Sequence, residues 1–211
     1  MALQVRLAPS VIRGGDVTDV RLVGAADLAF VDRPVRGRPS LARAAVVLVS
    51  YPELEVVEQS VVEAPTAFPY VPGLLSFREV PALVRAFEGL QHAPDLLLVD
   101  GHGYAHPRRF GIACHLGLLL GLPTIGVGKS RLCGDHPEPG GVRGETVRLV
   151  DKGEIIGRVV RTRDGVRPIF VSVGQHIGLD EATNWVLRLC RGYRLPEPIR
   201  VADKLSKGRQ R

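Results

Sequence analysis

Very little in this sequence points to an oxidising compartment or a membrane. Its 211 residues include only three cysteines, Cys114, Cys133 and Cys190. They form neither a CxxC pair nor an even set, which argues against a disulfide framework or a zinc site. Cys114 lies in an apolar stretch and reads as a small buried residue. No uninterrupted apolar run approaches the roughly 20 residues of a membrane-crossing helix. Met1 to Arg13, broken by Arg6 and Arg13, lacks the continuous apolar middle of a secretion signal. A cytoplasmic protein without a membrane partner is expected. Internal repeats and long low-complexity linkers are also missing. One domain is therefore expected over 1–211, with the basic tail from about 204 to 211 read as a solvated end.

What is present is apolar material for a sizeable core, 45% of residues, and a surplus of positive charge. Lys and Arg outnumber Asp and Glu by 28 to 22, for a formal charge of +6. Such a surplus suits a polyanion, whose condensed counterions are released on binding, although many proteins reach +6 without one.

The apolar pattern predicts three strands in succession: Arg21 to Phe30, Ala44 to Tyr51 and Leu54 to Val62, the last two joined tightly at Pro52-Glu53. With no helix between them they make an antiparallel meander. Ser76 to Leu90 then reads as a helix. Ser76 is its N-cap, Glu79 completes a capping box, Pro81 lies in the first turn, and Leu83, Val84, Phe87 and Leu90 share a face. Asp95 to Asp100, an apolar helix from Phe110 to Leu120, and Pro123 to Val127 form a strand–helix–strand unit, which calls for parallel pairing. A hairpin turning at Asp151-Lys152-Gly153, a strand at Ile169 to Val173 and a helix at Asp180 to Arg191 complete the chain. The expected class is α/β, a ribonuclease-H-like mixed sheet flanked by helices.

Two carboxylates interrupt this apolar plan. Asp27 sits inside one strand (GAADLAF) and Asp100 ends another (LLLVDGHG). Either alone reads equally well as a loop cap or an arginine partner, because an isolated buried charge must be compensated. Together they are more informative. The first strand of the meander and the strand after the crossover are expected side by side, with Glu79 overhanging their ends. Three converging anions repel one another unless a divalent cation neutralises them. An all-oxygen set selects Mg²⁺, with Mn²⁺ able to substitute, and such a site hydrolyses phosphodiesters.

Four segments carry a resemblance: YVPGLLSFRE (70–79), DLLLVDGHGYAHPRRFG (95–111), PTIGVGKSRL (123–132) and GYRLPEP (192–198). In this order they resemble endonuclease V, collinearly from about Ser10 to Asp203. The resemblance implies a Mg²⁺-dependent deoxyribonuclease acting in DNA repair on DNA containing deoxyinosine. It implies hydrolysis of the second phosphodiester bond 3′ to the lesion, with inosine-containing RNA as an alternative substrate and a monomer as the acting form. It places metal ligation on Asp27, Glu79 and Asp100 and a catalytic lysine at Lys129. It makes the segment around Tyr70 a wedge, stiffened by Pro69 and Pro72. The pocket for the everted base then involves Gly73, Leu74, Leu75, Gly101 and His106, and Val71, beside Tyr70, is a further substrate-binding residue. Arg108 and Arg109 suit phosphate contacts or a solvated basic pair, and His115, in an apolar helix, reads as a core histidine.

One corner departs from the family pattern. Where the family has Gly-His-Arg or Gly-His-Lys after a serine-containing strand, this chain has Gly174-Gln175-His176. Gln175 cannot shuttle a proton near neutral pH, so a supporting role for Gln175 and His176 is open. Three rivals stand beside this reading: another nuclease on the same scaffold, such as a hybrid ribonuclease or junction resolvase; a non-catalytic nucleic-acid-binding relative; and a nucleotide binder suggested by Gly126 to Ser130. The last fails on pattern, since a phosphate loop needs glycine where Pro123 stands and a dinucleotide fingerprint needs it where Arg131 stands.

Overall fold

The computed structural model describes residues 1–32, 40–66, 68–69, 71 and 73–209. An eight-stranded mixed sheet runs through it in the order β3-β2-β1-β4-β5-β8-β7-β6. β1 (Leu22–Phe30), β2 (Ser40–Ser50) and β3 (Val56–Thr66) form the expected antiparallel meander. β4 (Leu96–Asp100) lies parallel to β1 on one side and to β5 (Thr124–Gly128) on the other. β6 (Thr146–Asp151), β7 (Glu154–Val160) and β8 (Ile169–Gln175) return antiparallel. The hairpin between β6 and β7 turns at Lys152 and Gly153, both at positive φ, as a two-residue connection requires.

Strand alternation sorts the core into two layers. Val23 and Ala25 of β1 and Leu96 and Leu98 of β4 point to the face covered by α4 (Leu179–Leu189) and α5 (Glu197–Ser206). Ala26, Leu97 and Val99 point to the other face, against α2 (Leu75–Glu88) and α3 (Ile112–Leu120). A short α1 (Ala2–Leu7) precedes the sheet. Among the described residues no helix is long and apolar enough to cross a membrane.

Several boundaries differ from the sequence expectation for physical reasons. β2 starts at Ser40 because Arg43, a charge that breaks the apolar run, is answered across the ladder by Glu63 at 2.6 Å. β3 continues through Pro65 to Thr66, which an edge strand tolerates. α2 begins at Leu75, with Leu74 as its N-cap and no side-chain cap. The Ser76–Glu79 capping box is therefore not formed, and Pro81 lies inside the helix rather than in its first turn. The C-terminal end is not simply a solvated tail. α5 runs through Lys204 to Ser206, and Ser206 is buried. The three cysteines are free, and burial pushes the thiol of Cys114 up to about 12.

Candidate active site

The register that pairs Ala26 with Val99 brings Asp27, inside β1, beside Asp100 at the carboxyl end of β4. Both follow the odd–even rhythm of the α5 face, so they meet the side chains that α5 presents at its C-terminal end. One is Asp203. Asp27, Asp100 and Asp203 each offer a carboxylate oxygen, and the three oxygens lie within 4.8 Å of one another. Ser206, one turn further on, donates a hydrogen bond to Asp27 Oδ2. Lys129, immediately after β5, inserts its ammonium between Asp100 Oδ2 and Asp203 Oδ1, the latter at 2.9 Å. Lys207 holds both oxygens of Asp203 at 2.7 Å.

Glu79 approaches from the opposite layer, on the second turn of α2, and is 8% exposed. It is not one of the three acids within 4.8 Å, but it is close enough to feel two of them. Burial, then Asp27 and Asp100, push its carboxyl up to about 8. Burial and the hydrogen-bonded neighbour Asp27 push Asp100 up to about 7, with Lys129 pulling the other way. Burial also disfavours charge on Lys129, but Asp100 and Asp203 outweigh it and raise its pKa. Asp203 likewise resists burial: Lys207 and Lys129 hold its carboxyl below the usual range. Crowded carboxylates, two of them driven towards protonation, form a hard all-oxygen donor set with excess negative charge. That set fits a divalent cation such as Mg²⁺ or Mn²⁺.

Next to this cluster opens a cavity of about 160 Å³, of the order that accepts a benzene-sized ring. Gly73, Leu75, Gly101 and His106 line it, together with Gln4, Val71, Ser76, His102, Gly111, Ile112 and Leu132, which sequence reading did not place there. Gly101 follows Asp100 directly. Its φ is +151°, and a Cβ would come within 2.6 Å of Ile112 Cγ2, so glycine is required both for the turn and for the space. Leu74 does not line the cavity; it caps α2 and donates its N–H to Val71 O at 2.9 Å. Tyr70 and Pro72, the expected wedge, lie outside the described residues.

Other expectations are redirected. Gln175 pairs with Thr124 at the start of β5, four residues from the end that carries Lys129. Buried, it accepts from Ile12 N–H at 2.8 Å and so ties the N-terminal segment to β8, while His176 N–H bonds Ile12 O. Neither supports the carboxylates. Arg108 and Arg109 are employed within the protein: Arg108 bonds Gln4 and Gly73, and Arg109 pairs with Glu154 and Asp151. His115 packs against Phe77 and Phe110, in keeping with a core histidine. Asp203 is the site residue that sequence reading missed.

Residues 5–204 match the family model for endonuclease V. The chain belongs to the endonuclease V family. It is 55% identical over 190 residues to the endonuclease V of Alkalilimnicola ehrlichii, covering 90% of this chain and 82% of that protein. The crystal structure of Streptomyces avermitilis endonuclease V matches at TM-score 0.90 and 41% identity, over 98% of this chain and 90% of that one. The Ciona intestinalis endonuclease V, solved with DNA containing an inosine followed by a ribo-adenosine, matches at TM-score 0.84 and 30% identity, over 98% and 94% of the two chains. A remoter likeness to Aquifex aeolicus Argonaute, at TM-score 0.55 and 17% identity over 89% of this chain and 28% of that one, bears on the fold alone. The fold is ribonuclease-H-like, and membership of an endonuclease family marks the chain as a nuclease.

Proposed function

We propose that this protein is a Mg²⁺-dependent endonuclease, also served by Mn²⁺, that recognises deoxyinosine in DNA and hydrolyses the second phosphodiester bond 3′ to it, leaving a nick as a step of DNA repair. One observation carries the reading. Consecutive residues, Asp100 and Gly101, belong respectively to a cluster of carboxylates and to a cavity of ring size, so a base bound in the cavity lies beside the acidic site. The kinship with a protein solved on inosine-containing DNA supports the choice of base.

In this reading Asp27, Asp100 and Asp203 would hold the cation, with Glu79 at its rim. A bound divalent cation supplies Lewis-acid charge that stabilises the phosphodiester oxygens as charge builds on them. The protein's own residues then divide the remaining work. Lys129, whose ammonium lies between Asp100 and Asp203, supplies a compact positive charge that would turn to the scissile phosphate once the cation is bound. Glu79 is the carboxylate left to align the attacking water. Gly73, Gly101 and His106, with Val71 and Leu75, enclose the everted base, and Tyr70 fills the gap it leaves in the duplex.

The test is direct: duplexes with deoxyinosine or adenine at one position, incubated with Mg²⁺ or with chelator, and the product ends mapped. Nicking confined to the inosine strand, one bond beyond the adjacent phosphodiester and only with metal, is the expected result. Equal cleavage of both duplexes, or cleavage in chelator, contradicts it. The ribo-adenosine beside the inosine in the Ciona substrate favours a second reading, in which inosine-containing RNA is also cut. A matched RNA strand in the same assay decides it.

A further inference from the structure

The first helix reaches the cavity through one side chain. In α1 only Gln4 is buried, at 1% exposure, whereas Leu3 and Val5 are exposed. A long amide on a short surface helix would ordinarily point to water. Here it is threaded inward, and every polar atom of it is used. Gln4 Nε2 donates to Gly73 O at 3.1 Å and to Phe110 O at 2.9 Å, while Gln4 Oε1 accepts from Arg108 Nε at 2.7 Å.

The two carbonyls belong to different segments that wall the cavity. Gly73 leads into α2 beside Leu75, and Phe110 leads into α3 beside Gly111 and Ile112; these flanking residues line the cavity. The Gly73 carbonyl is fastened further. Arg108 Nη2 donates to it, and His106 Nε2 lies 3.1 Å away. His106 Nδ1 accepts from the Arg108 N–H, which leaves the proton of the neutral ring on Nε2, aimed at the same oxygen. Gly73 itself sits at φ +75°, a backbone region that side chains strain, and a Cβ there would displace Arg108 Nη2, 2.7 Å away.

We propose that Gln4 is a positioning residue for substrate recognition: its side-chain amide clamps the Gly73 and Phe110 walls at a fixed separation and so sets the width of the base cavity. This rests on the reading that the cavity receives the everted base. Gln4 touches no reacting atom. Its loss acts through Gly73 and His106, so recognition suffers more than the chemical step.

The experiment compares the whole protein with Gln4→Ala, Gln4→Glu and Gln4→Met. Glutamate keeps an acceptor for Arg108 but removes both donors, and methionine keeps length without hydrogen bonds. KM and kcat for nicking an inosine duplex are measured in Mg²⁺, together with affinity for inosine and undamaged duplexes at one salt concentration. All three variants are expected to raise KM about tenfold and lower the preference for inosine similarly, as the loss of two hydrogen bonds implies. Affinity for undamaged DNA should hold and kcat should fall by less than about threefold. If Gln4→Ala does not fold, as read by thermal melting, Gln4→Met carries the same comparison. Wild-type KM and preference in Gln4→Met overturn the clamp, as does an equal weakening on both duplexes, which would be a general loosening. A wild-type protein with no preference for inosine overturns the parent reading instead, and the clamp with it.

Discussion

At the scale of single residues, the site is a problem in compensated charge. Asp27 is answered by Ser206, Asp100 by Lys129, and Asp203 by Lys129 and Lys207, while Glu79 has acids for neighbours. Asp203→Asn should therefore lower the Mg²⁺-dependent nicking rate by about 100-fold or more, because it removes a charge from the ligand set. Single-turnover kinetics with a circular dichroism check of folding measure this, and a rate within about threefold of wild type removes Asp203 from the site.

The same crowding has a pH signature. Glu79 and Asp100 bind protons up to about 8 and 7 in the folded chain, against ordinary values of 4.5 and 3.8. From pH 6.5 to 8 the unfolded chain has already lost both protons while the folded chain still holds part of them. Stability in chelator should accordingly fall as pH rises, by at most about 1.4 kcal/mol per pH unit for each group. His102, His106 and His115, each lowered by burial, oppose this trend, but the ordinary imidazole value of 6.5 confines most of their effect to pH below about 7.2. Mg²⁺ should flatten the decline. Melting curves at pH 6.5, 7.2 and 8, with and without Mg²⁺, check both statements; identical slopes in the two series would contradict them.

At the scale of elements, legibility followed apolar periodicity. Every strand was visible as a run of apolar or alternating residues, and the meander followed by a parallel unit was enough to predict that β1 and β4 are neighbours. The two aspartates that break those runs were legible for the same reason. Helix starts were read less well, because Ser76 and Glu79 imitate a capping box that Leu75 pre-empts. The serious omission was α5. Its buried positions are Pro198, Ile199, Ala202 and Ser206, a sparse stripe between charged residues. Its first residues were given no element, its last three passed for the start of a tail, and Asp203 between them was not singled out. The spacing of Ile199, Ala202 and Leu205 was the available signal. Because α5 holds Asp203 by packing, Ile199→Ala should cost about 2–5 kcal/mol in stability and also raise the Mg²⁺ concentration needed for half-maximal nicking. Urea denaturation and a metal titration test the pair of effects. Lost stability with unchanged metal dependence would separate α5 from the site.

Across the whole molecule, the sheet gathers chemistry from distant parts of the chain. Residues 27, 100 and 203 meet because the β1–β4 ladder puts Asp27 beside the end of β4 and the last helix packs on their shared face. The cavity beside them draws on α1, the entry to α2 and the loop after β4. The surplus of positive charge over the whole chain suits a polyanionic partner. Binding to any duplex should therefore weaken steeply as salt rises, while the preference for inosine, set by the cavity, changes far less. Fluorescence anisotropy on paired duplexes across a salt series distinguishes the two, and a preference that collapses with salt would place recognition in the phosphates.

The central claim is that three aspartates separated by up to 176 positions share one cation. Crystals of the protein soaked in Mn²⁺ and measured for anomalous scattering test it most directly. The expected result is a peak about 2.1 Å from oxygens of Asp27, Asp100 and Asp203, with the Lys129 ammonium withdrawn from between them. Well-ordered crystals with no peak there, or with the metal held by other residues, would contradict the account.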